Sequence, residues 1–163
     1  MFKRNVWCFL VFFLLLLTMV GCESNSVEKK LFPKVIKGYE LKKLIKGGEA
    51  IKMINRLHGK KIRVKQAWIA YYANPSNPKD EVTVWVSQAF SEADAKKQFN
   101  EMMEKIMKNP MPFSNIINMM GVYVFSGLGK RHAVFCRKDF VFWISGREGS
   151  IRYFVHYYFK TVK

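Results

Sequence analysis

The chain has 163 residues, is 50% hydrophobic, and carries 28 Lys and Arg against 12 Asp and Glu for a formal charge of +16. That apolar content excludes a disordered polyelectrolyte, and the length suits one compact domain rather than two. The charge admits a solvated basic face, attraction to anionic headgroups or an acidic ligand, but no nucleic-acid-binding module accompanies it.

Lys3 and Arg4 open the chain, and Val6 to Val20 then form an apolar run interrupted only by Thr18, the layout of a secretory leader. A transmembrane helix needs about 20 predominantly apolar residues to cross a hydrocarbon core of roughly 30 Å. This run closes too early, at Gly21, Cys22 and Glu23, so a stable span is the less favoured reading. Met19-Val20-Gly21-Cys22 resembles the lipobox of bacterial lipoproteins, with Met19 where that family usually places Leu. The resemblance covers Met1 to Cys22. It implies cleavage before Cys22, a thioether-linked diacylglycerol on that residue and an acylated amino terminus. It further implies a cell-envelope location, on the outer side of the cytoplasmic membrane or on the outer membrane. The alternative is an uncleaved signal anchor in which Cys22 is incidental. The expected organisation is a signal peptide over 1–21, a polar tether over 22–30 and a single domain over 31–163. Loss of Lys3 and Arg4 with the leader takes two from the +16.

Cys8 leaves with the leader and Cys22 is spent on lipid, so Cys136 has no intramolecular partner. Its setting in "HAVFCRK" predicts an inert buried thiol.

Along the domain, "EAIKMINRLH", Glu49 to His58, places Ala50, Ile51, Ile54, Leu57 and His58 on one side at helical spacing, with Gly59 as a stop. Ile62 to Tyr72 alternates as a strand, Asn74 to Asp80 is a turn-rich connector with Pro75 and Pro78, and Glu81 to Ser87 is a second strand. Ser91-Glu92-Ala93-Asp94 resembles a capping box and starts a helix to Lys108. Its buried stripe is expected to be Ala95, Phe99, Met102, Met103, Ile106 and Met107, with a stop before Pro110. Pro110 to Met120 reads as irregular. Strands follow from Val122, His132 and Phe140, with a tight turn at Arg137-Lys138-Asp139. The tail from Ile151 fits either a helix or a strand, and helix is preferred with Ser150 as cap. The expected fold is α+β, an antiparallel sheet of about five strands with two or three helices largely on one face.

"SGLGKRH", Ser126 to His132, is the segment to examine for anion binding, with Gly127, Gly129, Lys130, Arg131 and His132 as candidate residues. It lacks Walker spacing and leads into a strand, so a Gly-rich turn explains it first. His58, His132 and His156 have no zinc-site spacing, and no metal or cofactor is predicted. Met102, Met103, Met107, Met111, Met119 and Met120 are read as core filler before soft-metal ligands. The acids Glu92, Asp94, Glu101 and Glu104 lie on the exposed side of one helix, and neither a Gly-x-Ser-x-Gly nor a Ser-x-x-Lys motif occurs. No catalytic residue is assigned.

The preferred reading is a membrane-anchored binding or accessory module in the envelope. Its rival is an envelope hydrolase or transferase using His132 or His156 with a nearby carboxylate. A pocket for a hydrophobic anion or lipid is the third reading. The mature region otherwise only faintly resembles uncharacterised bacterial envelope proteins.

Overall fold

The computed structural model describes residues 20–163, with side chains from 26 onward. Residues 1–19, most of the expected leader, therefore lie outside the described residues, as does the side chain of Cys22. The chain divides into two units, Met1–Pro33 and Lys34–Lys163.

In the first unit, helix α1 spans Val20–Leu31. The stretch expected to be an aperiodic tether is thus helical backbone. Lys29 and Lys30 fall in its last turn, where cations complement the helix dipole. Pro33 follows closely, and a proline cannot continue the ladder. Among the described residues no helix is long and apolar enough to cross a membrane.

The second unit is built on one eight-stranded antiparallel sheet, which replaces the expected sheet of about five strands. Its strands are β1 (Val35–Ile36), β2 (Tyr39–Lys46), β3 (Gln66–Asn74), β4 (Asn77–Gln88), β5 (Ser114–Met119), β6 (Val122–Gly127), β7 (Lys130–Arg137) and β8 (Phe140–Gly146). The spatial order is β1-β2-β3-β4-β8-β7-β6-β5. Two four-stranded meanders therefore meet where β4 pairs with β8, with Trp85 opposite Trp143 and Val86 opposite Phe142.

Three strands escape the sequence pattern for physical reasons. β1 has only two residues. β2 carries a register shift between Leu41 and Lys43, which breaks the two-residue alternation. β5 lies at a sheet edge, mostly exposed and itself bulged between Ser114 and Ile117, so it has no buried face to impose a pattern. The proline-rich connector is absorbed as well. Asn74 pairs with Asn77, and Pro78 sits where the register shifts, a position that does not need its missing N–H.

Helices α2 (Gly48–His58), α3 (Glu92–Lys108) and α4 (Glu148–Thr161) complete the unit. α2 sets Ala50 and Ile54 against Ile45, Ala67 and Ile69. α3 sets Phe99 and Met103 against Phe125 and Val134 on that same face. α4 packs on the opposite face, with Phe154 edge-on to Tyr72 and Tyr158 against Phe142. The expectation of helices largely on one face is corrected to two on one face and one on the other. The cause is strand composition: β3 and β7 bury residues on both sides, and β4 and β8 bury Val82, Val84, Val86, Phe142 and Ile144 on one side while Trp85 and Trp143 are partly buried on the other, so both faces need cover.

Ser91 caps α3, its Oγ accepting from the Asp94 amide at 3.1 Å. In α4 the cap is Arg147, and Ser150 lies inside the first turn, buried. The Ser150 hydroxyl is drawn inward to donate to Asp80 Oδ1 at 2.7 Å, which overturns its expected capping role. Of the methionines read as core filler, Met103 is buried, but Met107, Met111, Met119 and Met120 are exposed. They occupy the end of α3, the following loop and the edge hairpin, where no second layer lies over them.

Candidate anion-binding site

The segment Ser126 to His132 forms the β6–β7 hairpin. Gly127 pairs with Lys130 across a two-residue loop, Leu128-Gly129, whose φ values are 52° and 72°. Two left-handed residues match the right-handed twist of the flanking strands, and glycine adopts that region at no steric cost. Gly129 is therefore explained by the turn. Gly127 has a different reason to be glycine: a Cβ there would lie 2.4 Å from Phe113 Cδ1 and 3.1 Å from the Pro112 carbonyl oxygen. Both glycines serve the backbone.

His132 does not join the candidate site. It is buried at 4% exposure, among Phe113, Phe125 and Trp143. Its Nε2 lies 2.9 Å from the Gly127 carbonyl oxygen, which can only accept, so Nε2 carries the proton. Nδ1 is then the acceptor, 2.8 Å from Ser145 Oγ and 3.1 Å from Trp143 Nε1. Burial pushes the His132 pKa down, with Lys130 and Arg131 adding to the effect and the Gly127 carbonyl opposing it. The imidazole is a neutral structural strut that ties the hairpin to β8.

Lys130 and Arg131 do converge with residues from elsewhere in the chain. A groove of about 660 Å³ opens where the start of β4, the β6–β7 hairpin and the β8–α4 junction come together. Lys79, Lys130, Arg131 and Arg147 line it, with Glu81, Ser114, Ser126, Gly127, Gly129 and Gly146. Lys79, Lys130 and Arg147 are exposed, while Arg131 is half-buried. Arg131 Nη1 donates to Ser126 Oγ at 2.9 Å, and Nη2 stands 3.9 Å from Glu148 Oε1, whose side chain is 67% exposed. Its Nε is buried without a hydrogen-bond partner. A pair that long and that solvated neutralises little charge. Four cationic side chains thus face one open cleft with a single lining carboxylate, Glu81.

Lys79 and Arg147 were invisible to local pattern because sheet topology, and no motif, brings them there. Gly146 gives a partial cue, since a Cβ at that position would press on the Glu81 carbonyl and Val82, both at 3.0 Å.

The other two histidines and Cys136 lie outside the groove. His156 is exposed on α4. His58, at the end of α2, borders a small cavity of about 60 Å³ with Lys60, Glu101 and Lys105, and its pKa is lowered by burial and then by the two lysines. The polar partners of His132 are a serine, an indole and a carbonyl. Cys136 is half-buried, its thiol donating to the Lys138 carbonyl at 3.7 Å and raised in pKa chiefly by burial, so it is protonated at neutral pH.

No protein-family model matches the chain, and no curated protein does. Among solved structures it is similar to one described as a GTP binding regulator from Thermotoga maritima, at 14% identity and a TM-score of 0.46, covering 83% of this chain and 86% of that one. A likeness at that level assigns no activity.

Proposed function

We propose that the chain is a lipid-anchored binding module of the bacterial envelope whose groove holds an anionic group, a phosphate or carboxylate of its ligand. The observation that carries this reading is the convergence of Lys79, Lys130, Arg131 and Arg147 on one open cleft from three separate parts of the chain. The excess of basic over acidic residues, which loss of Lys3 and Arg4 with the leader reduces by only two, adds a long-range attraction for the same class of ligand. The hydrolase reading names His132 or His156 beside an acid; the hydrogen-bond partners of His132 are a serine, an indole and a carbonyl, and His156 is exposed on α4 outside the groove.

The test is calorimetric titration of the full chain, held in a neutral detergent, with glycerol phosphate as the soluble probe. Each removed cation is expected to contribute about 1 kcal/mol. A Lys130→Gln, Arg147→Gln double variant should therefore bind more than about tenfold more weakly, with an unchanged melting temperature. Binding that is absent in the parent, or equal in both proteins, would sink the groove as a site.

A further inference from the structure

Leu128 occupies a position that neither folding nor local chemistry explains. It is the first residue of the β6–β7 turn, at φ 52°, where steric strain disfavours a branched side chain and Asn, Asp or Gly is ordinarily selected. It is also 73% exposed, so it recovers little of that cost by packing. The β7–β8 turn offers the contrast. There the left-handed position, φ 54°, holds Lys138, a polar residue paired with Glu92 at 3.4 Å. An apolar side chain at a tip next to cations gains by entering an apolar medium bordered by anions.

The surroundings indicate which medium. Leu128 sits between Gly127 and Gly129, Lys130 and Arg131 in the hairpin that forms one wall of the basic groove. An apolar tip followed by Lys130 and Arg131 complements a bilayer containing anionic phospholipid: the leucine reaches the acyl boundary while the cations of the groove meet phosphate headgroups. We infer that the β6–β7 hairpin is a membrane-docking wedge, with Leu128 inserted and the groove holding the phosphate of an anionic lipid. This rests on the anion-binding reading of the groove and names the source of the anion.

A second apolar tip serves as an internal control. Met120 is 99% exposed at φ 54° in the β5–β6 turn, at the other end of β6 from the hairpin whose Gly127, Gly129, Lys130 and Arg131 line the groove. The experiment places a tryptophan at Leu128 or at Met120 in the full chain, reconstituted into vesicles whose lipids carry brominated acyl chains, with and without phosphatidylglycerol. The added fluorescence of Leu128→Trp should be quenched severalfold more strongly than that of Met120→Trp, and only when phosphatidylglycerol is present. Equal quenching of the two reporters, or quenching that ignores the anionic lipid, overturns the wedge. A lack of Leu128→Trp quenching in a protein that still binds glycerol phosphate through Lys130 and Arg147 overturns the wedge alone. If phosphate binding is missing too, the groove reading fails with it. A Leu128→Asn variant separates docking from stability: its melting temperature should equal or exceed that of the parent, because asparagine suits the turn. A clear drop would make Leu128 a structural residue and refute the proposal.

Discussion

His132 shows how a residue attractive in sequence can be claimed by the core. Beside two glycines, a lysine and an arginine it resembles an anion ligand, yet strand alternation turns it away from Arg131 and into the layer beneath α3, while Arg131 lines the groove. The residues of the candidate site legible in sequence are those whose side chains leave the hairpin on the open side. Lys79 and Arg147 were not legible, because their proximity is created by the pairing of β4 with β8. The buried imidazole has a measurable consequence. Its pKa is lowered in the folded state, so below the ordinary value of 6.5 the unfolded chain binds more protons than the native one. Its stabilising effect is complete above pH 6.5 and declines as the pH falls. Denaturant midpoints taken between pH 7.5 and pH 5 should fall accordingly, before carboxylates titrate. The decline should persist in His58→Gln, which removes the other depressed histidine. A flat profile in that variant would show that His132 is not protected from protons.

Elements are joined by a polar cluster that no local pattern announces. Tyr39 on β2 donates to Asp80 Oδ2 at 2.7 Å, Ser150 on α4 donates to Asp80 Oδ1 at 2.7 Å, and the two hydroxyl oxygens lie 2.8 Å apart. Asp80 and Ser150 are buried, and burial raises the Tyr39 pKa, keeping its proton in place to donate. Hydrogen bonds to a buried charge contribute about 1.5–3 kcal/mol each. Tyr39→Phe and Asp80→Asn should each lower unfolding free energy by about 2 kcal/mol, and the double variant by less than the sum, since both act on one network. Strict additivity in denaturant melts would mean that the groups do not work together. The strongest helices, α2 and α3, could be read from periodicity and their stops, and β3, β4, β6, β7 and β8 from alternation. β2 and β5 could not, because a bulge in one and the exposure of most of the other erase the two-residue period. The second helix-bearing face was equally hidden, since a strand buried on both sides looks in sequence like a strand that is simply apolar.

For the whole molecule, location precedes everything else about function. Intact mass of protein extracted from membranes should show a chain beginning at Cys22 with added acyl mass, and a Cys22→Ala variant should lack both changes. If both proteins retain Met1, the apolar run is an uncleaved anchor and the lipidation reading is wrong. The eight-stranded sheet has a consequence of its own. Any open sheet ends in two rows of unpaired amides and carbonyls onto which a further strand can graft. Here one row is the two-residue β1, too short to template a partner. The other is β5, whose ladder is interrupted between Ser114 and Ile117 and whose Asn115 is twisted to φ 53°. Each boundary is blunted by a different device, so copies crowded together meet no long, flat margin on which to polymerise, although the β5 border is rich in isoleucine and methionine.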